Sequence, residues 1–504
     1  MTSVRNSGKG HQQQVHAPMM PVCSRPWAAE DIRQRWAPVL HDGHRHGRKL
    51  VLLQEPAIAS PRRHPARTFI FRLLLAAIAA FALFMAYAWR TSIDPVAVPP
   101  PAGFTREKVR QGEQLAAIGN CAGCHTAAGG PAFAGGVPLE TPFGTIYGTN
   151  ITPEAGTGIG AWSEAAFRRA LREGVSRDGH LLYPAFPYNH FTRLNDDDIG
   201  ALYAFVMTRD PVVAEAPRNK LVFPLQFRPL VAGWNLLYLT PGTMSAEPAQ
   251  SAEWNRGAYL VNAAGHCAAC HSPRNALGAE VKSAFLAGGE AEGWHAPALN
   301  AESPSPVHWT AQSLATYLRT GMGPDHALTA GPMQGVVRNL ARAEPADVQA
   351  MAVYLASLMG PPTSAQQSRE ALARELAAHQ SLAGARTAAS ATPGEAPALA
   401  LGATVYANNC AGCHDMGRGI SSNAALRLPL AVALHIKDPR NLIHIIQRGI
   451  IPADGEGGRF MPPFAGTLSD EELTALLAWM RRQATGEPPW QDLARTVKEA
   501  GTPP

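Results

Sequence analysis

The sequence predicts an all-α protein: three helical units in tandem, behind one apolar helix near the N-terminus. Three observations carry the prediction. The pentapeptide Cys-x-x-Cys-His occurs three times at near-equal spacing, apolar residues of helical period recur at matching offsets in the three units, and one long uncharged run precedes them all.

The copies are Cys121-Ala122-Gly123-Cys124-His125, Cys267-Ala268-Ala269-Cys270-His271 and Cys410-Ala411-Gly412-Cys413-His414. This is the spacing of c-type haem attachment. Each thiol adds across a haem vinyl group, and the adjoining histidine is held under the iron as its proximal ligand. The expectation is three covalently bound haems c, held by Cys121, Cys124, Cys267, Cys270, Cys410 and Cys413, with His125, His271 and His414 on the irons. Six of the seven cysteines fall in these motifs, and a redox dithiol or half a zinc site would leave the recurring histidine unexplained. The steps between copies, 146 and 143 residues, set the domain count at three.

Haem is attached to apocytochrome only after export, which places the three units outside the cytoplasm. Charged residues are 16% of the chain and Gly and Pro number 46 and 43, a loop-rich composition that can still pack around a large apolar cofactor. The net charge of +5 is concentrated before residue 68, where eleven Lys or Arg face four Asp or Glu. The remainder is slightly acidic, which argues against nucleic-acid binding. Residues 1–67 read as a basic leader without periodicity, in which Cys23 is a free thiol.

Leu73 to Trp89 is a run of seventeen uncharged residues, preceded by Arg62, Arg63, Arg67 and Arg72 and closed by Arg90. With Phe69 to Phe71 added past a snorkelling Arg72, it is long enough to span a bilayer. We assign residues 68–90 as a transmembrane anchor; a signal cleaved after Ala86-Tyr87-Ala88 is the alternative. The flanking positive charges keep the leader cytoplasmic and send the rest across. A Pro-rich linker, 91–103, follows.

Each unit should open with a helix ending at the haem motif, since Gly112 and Leu115, Gly257 and Leu260, and Gly402 and Val405 keep one spacing. A second amphipathic helix follows: Trp162-Ser163, Phe167, Leu171 and Gly174 match Trp309-Thr310, Leu314, Leu318 and Gly321 at identical offsets, with a looser version at Asn441 to Gly449. Ser163 and Thr310 are N-cap types and the glycines C-cap types. A third helix closes each unit, with apolar residues at 0, +3, +4 and an aromatic at +6: Ile199 to Phe205, Val348 to Tyr354, Leu473 to Trp479. Such a haem-bearing helix, crossed by a closing helix with an inward aromatic, resembles the cytochrome c fold. The units are then 104–213, 249–361 and 399–486, joined by linkers at 214–248 and 362–398 and followed by a tail at 487–504.

A sixth iron ligand usually lies in the loop between the last two helices. Met461, in Met461-Pro462-Pro463, and Met333, in Gly331-Pro332-Met333, hold that place in units three and two; Met322 competes with Met333 but directly follows a helix-closing glycine. The matching loop of unit one, Tyr183-Pro184-Ala185-Phe186-Pro187-Tyr188-Asn189-His190, has no methionine. His190 is the ligand expected there; Met207, inside the closing helix, and an open site are the alternatives.

Over about residues 104–485 the chain resembles the membrane-bound tri-haem cytochrome c subunits of bacterial periplasmic dehydrogenases. The resemblance is carried by the three haem motifs, Gly136-Val137-Pro138, the stretch Phe143 to Pro153, Gly158-Ile159-Gly160, Trp162, and the loops of Met333 and Met461. It implies an electron-transfer subunit serving a catalytic partner, with or without an iron–sulfur subunit, in the inner membrane. Ubiquinone or another respiratory acceptor, such as a terminal oxidase, would receive the electrons. Met333 and Met461 would be axial ligands. Quinoprotein alcohol and flavin gluconate branches usually carry methionine where Phe186 stands. The Phe-Pro-Tyr-x-His-Phe version, together with Phe223 to Asn235, is similar to the subunits that accompany molybdenum hydroxylases acting on aldehydes, nicotinate or isoquinoline. No catalytic residue is expected on this chain. A multi-haem peroxidase or nitrite reductase would need a distal acid–base set, which His190 with Asp196 to Asp198 matches poorly; a free electron shuttle and an oxidase subunit are the other classes.

Overall fold

The opening and closing helices of each unit cross where the sequence places its repeated glycine. In unit one these are Arg106–Ile118 and Asp196–Met207, in unit two Ala252–Tyr259 and Pro345–Met359, in unit three Ala396–Asn409 and Asp470–Thr485. A Cβ at Gly112 would lie 1.9 Å from the Ala201 carbonyl oxygen, at Gly257 1.9 Å from that of Ala350, and at Gly402 2.2 Å from that of Ala475. Only glycine permits this approach. The aromatic at +6, Phe205, Tyr354 or Trp479, begins beside the same glycine, with its Cβ 2.7, 3.0 or 2.6 Å from that position. The two sequence signals are thus two sides of one contact.

This computed structural model describes residues 65–323, 325–378, 382, 396–415, 427–452 and 460–500. The leader through residue 64, Cys23 and the Ala391-Thr392-Pro393 joint lie outside the described residues. An uninterrupted helix, Pro65–Ala88, carries the apolar run, and an 18-residue window within it has a mean hydropathy of 2.4.

Capping follows the sequence. Ser163 accepts from the Ala166 amide and begins the helix Glu164–Glu173; Thr310 does the same from Ser313 for Ala311–Thr320. Gly174 (φ 64°) and Gly321 (φ 68°) end these helices in the left-handed conformation. In unit three the second helix is Arg440–Arg448, and Ser469 and Glu472 form a reciprocal capping box on the closing helix.

Small antiparallel hairpins interrupt the all-α plan: Pro138–Thr141 with Gly144–Tyr147, Gly289–Ala291 with Trp294–Ala296, and Met322–Gly323 with Ala327–Leu328. The segment expected as a linker at 214–248 is folded onto unit one. Lys220–Leu221 adds a third strand beside Gly144–Tyr147, and Leu230–Tyr238 is a helix. The expected linker 91–103 is held as well, because the Ile93 amide donates to the Arg177 carbonyl (2.7 Å) and Val96 to Ala161 (3.0 Å). Helices Ser364–Ala378 and Leu493–Ala500 likewise occupy parts of the second linker and the tail. Proline content made 91–103 and 214–248 look like spacers, but proline removes only its own donor, and other amides there find partners.

Units one and two share a continuous core, in which Leu115, Ile199 and Phe205 belong with Leu260, Val348 and Met351. Unit three has its own, built on Tyr406, Ile443, Leu477 and Trp479.

Candidate haem centres

The three cysteine-histidine motifs sit in short helical turns directly after the opening helices. His125 Nδ1 lies 2.6 Å from the Thr149 carbonyl oxygen, and His271 Nδ1 2.7 Å from that of Pro297. A carbonyl can only accept, so Nδ1 carries the proton and Nε2 keeps its lone pair, as an iron ligand requires. Burial lowers the pKa of His125 and of His271, against the opposing pull of these bonds, and holds the rings neutral. His414 is lowered by burial too, and its Nδ1 is buried without a partner among the described residues.

The six motif cysteines are free thiols. Burial pushes Cys121 and Cys267 up to about 12, and Cys124 and Cys410 up to about 11. Zinc wants thiolates and four ligands; among the described residues no group of three or more His, Cys, Asp or Glu could hold an ion. Paired thiols beside an oriented imidazole fit haem c in units one and two; in unit three the imidazole is partly buried, with its pKa lowered by desolvation.

Met333 and Met461 are partly buried and pack against the cores of their units. Met333 follows Gly331, whose positive φ (58°) turns the chain into the helix Pro332–Leu340. A Cβ at Gly331 would lie 2.5 Å from the Trp294 ring, so that indole fixes the turn. Met461 is pinned by a two-way backbone pair with Ile450, 2.9 Å in each direction. In unit one Phe186 stands in this place, packed on Phe191 at 5.4 Å between ring centres.

His190, the ligand expected for unit one, has its ring hydrogen-bonded to unit two. It is buried, and its ring faces unit two: Nδ1 is 3.0 Å from the Asn262 carbonyl oxygen and Nε2 2.6 Å from Glu280 Oε1. Both ring nitrogens are thus engaged by groups of unit two. Met207 is buried in the shared core. The His190 contact belongs to a junction that spacing alone did not reveal. A Cβ at Gly119 would touch the Ala264 carbonyl oxygen at 3.1 Å, and His266 Nε2 lies 3.1 Å from the Gly119 carbonyl oxygen, so the first two motifs begin side by side. Asn339 donates to Asn120, and the Tyr259 hydroxyl bonds Asp198 at 2.5 Å.

Fold and site together define a c-type cytochrome with more than one haem-binding unit. The cytochrome c family model matches residues 109–210 and 255–359, and the one described as cytochrome c oxidase, cbb3-type, subunit III matches 397–480. The chain is 34% identical over 390 residues to the fructose dehydrogenase cytochrome subunit of Gluconobacter japonicus, covering 75% of this chain and 79% of that protein. It is 35% identical over 391 residues to the cytochrome c subunit of the quinone alcohol dehydrogenase of Gluconobacter oxydans, covering 74% and 78%. The chain therefore belongs to the family of cytochrome c subunits of dehydrogenases. It is also 44% identical over 430 residues to a nicotinate dehydrogenase subunit of Pseudomonas putida; the match covers 84% of this chain but only 34% of that longer protein.

Proposed function

We propose that the chain is a tri-haem subunit that takes electrons from a catalytic dehydrogenase and passes them to ubiquinone or another respiratory acceptor. The observation that carries this reading is the repeated iron cradle, with the proximal imidazole fixed by a backbone carbonyl in units one and two. When bound, haem c supplies a one-electron Fe(III)/Fe(II) couple. The protein's part is to hold the imidazole in one tautomer, supply Cys thiols for covalent attachment and, in units two and three, present Met333 and Met461. Methionine raises the potential of the haem it ligates. Unit one, with Phe186 in that position and His190 turned away, is the chemically distinct centre.

A molybdenum hydroxylase is the favoured partner. The Phe-Pro-Tyr-x-His-Phe loop supports it, and so does the likeness to a nicotinate dehydrogenase subunit. A quinoprotein or flavin dehydrogenase is the second reading, favoured by relatives matched over most of their length. The helix Pro65–Ala88 supports an anchor in the bacterial inner membrane, with the haem units in the periplasm.

The test is purification from membranes with crosslinking, identification of the bound partner, and haem counting by pyridine haemochrome. Three haems per chain and reduction by the partner's substrate are expected; two haems, or no reduction, would sink the proposal. Met333→Ala and Met461→Ala should each convert one haem to high spin and lower its potential.

A further inference from the structure

We propose that the helix Leu230–Tyr238 and the loop before it form a second membrane contact, lying in the lipid interface beside the anchor. The inference rests on reading Pro65–Ala88 as that anchor. Its starting point is exposure where burial would be expected: Phe223 is 87% exposed, Leu236 68%, Leu237 66% and Leu277 55%. Scattered apolar residues on a surface are ordinary, but a cluster marks an interaction site. Between Leu221 and Leu239 the sequence holds no acidic residue and a single cation, Arg228.

The position of this cluster identifies its occupant. Val231 and Ala232, on the inner side of the short helix, share a buried cluster with Ala88, against which Phe84 packs. The Gly233 Cβ position is 3.8 Å from the Phe84 ring. Phe84 and Ala88 form the last turn of the 24-residue helix Pro65–Ala88, which is about 36 Å long and so just exceeds a hydrocarbon core of about 30 Å. Whatever packs on that turn lies at the boundary between acyl chains and headgroups.

Aromatic residues mark the same level. Trp89 is 73% exposed and Tyr87 44%. The Trp234 ring packs at a tilt on Tyr238, 5.3 Å between centres, and its Nε1 donates to the Leu277 carbonyl, which joins Leu277 to the cluster. Trp and Tyr favour this depth, and an interfacial helix buries one apolar face there. A protein partner would have no reason to meet the chain at the exit of its own anchor, whereas a bilayer is already there.

The experiment uses the full haem-loaded chain in phosphatidylcholine/phosphatidylglycerol nanodiscs carrying a diazirine phospholipid, with crosslinks mapped by mass spectrometry. Labelling of peptides from 65–88 and from 221–239 is expected, each at least about fivefold above the exposed helix Ala311–Thr320. Leu236→Glu/Leu237→Glu should remove label from 221–239 alone, with haem spectra unchanged. Label on 65–88 without 221–239 overturns the second contact and leaves the anchor. Label on 221–239 without 65–88 removes the anchor and keeps the contact, and label on neither removes both. A double variant that still labels fully at 221–239 also overturns the proposal.

Discussion

The junction between units one and two differs in kind from the junction between units two and three. The first is a continuation of the core. Opening helices meet end to end at Gly119 and Ala264, and buried side chains from both units form one cluster. Around it lie His190 on Asn262 and Glu280, Asn339 on Asn120, and Tyr259 on Asp198. The second is a hairpin laid on a helix, beside a small apolar cluster in which Val307 meets Leu430 through Ala373 and Ala377 of the helix Ser364–Ala378. Asn441 exchanges hydrogen bonds with the His295 backbone (2.8 and 2.7 Å), Trp294 meets His444 edge to face at 4.9 Å, and Arg440 pairs with Glu290. A shared apolar core adds about 25 cal/mol per Å² of buried surface, whereas an amide hydrogen bond nets about 1 kcal/mol and an exposed ion pair less. The first two units should therefore fold as one body and the third as a body docked onto it.

The sharpest way to break this comparison is through the crossing glycines. Gly112→Val or Gly257→Val forces a side chain into a backbone carbonyl and should cost more than about 3 kcal/mol. Because the core is shared, either change should cost haem in both units one and two, while Gly402→Val should cost only the third. Haem mapping by peptide mass spectrometry reads this directly; a loss confined to one unit after Gly112→Val would make the junctions equivalent.

Trp294→Ala is the next largest. Removing the indole from between Gly331 and His444 should cost about 2–4 kcal/mol. Hydrogen exchange should rise in Arg440–Arg448 and in Pro332–Leu340 but stay unchanged in Arg106–Ile118. His190→Ala should cost about 1–3 kcal/mol by taking from the partly buried Glu280 its closest partner. It should loosen the first junction and leave the spin state of the first haem as it was; a change in that haem's ligation would restore His190 as an axial ligand.

The smallest effect is that of acid. Burial pushes the Glu280 carboxyl up, but the hydrogen bond and charge of His190 outweigh it and hold Glu280 below the usual glutamate range. A carboxylate depressed in the fold stabilises it above the unfolded pKa, and that contribution fades as pH falls through the folded value. The first junction should thus weaken below the ordinary glutamate range, and Glu280→Gln should flatten this dependence in thermal melts.

What could be read in the sequence was what a side chain must do locally. Gly112, Gly257 and Gly402 with their partner aromatics, and the caps Ser163 and Thr310, are legible because steric exclusion and capping dictate residue type at fixed offsets. The carbonyls of Thr149 and Pro297 are not, since any residue has a carbonyl. Nor was His190: its partners lie 72 and 90 residues away, and a histidine four places beyond a missing methionine looks the same whether it binds iron or glutamate. The 214–248 stretch hid a helix because its prolines were the louder signal.

The stretch after Ala88 also fixes where the first unit stands. A free tether of ten residues would let the first unit wander over about 17 Å. Here Thr91, Ile93 and Val96 are bonded to Arg169, Arg177 and Ala161. The segment is a splint, so the position of unit one relative to the end of the apolar helix at Ala88 is set by geometry and is not averaged over a cloud of positions. An insertion of a few residues after Trp89 would release that position without touching any haem motif.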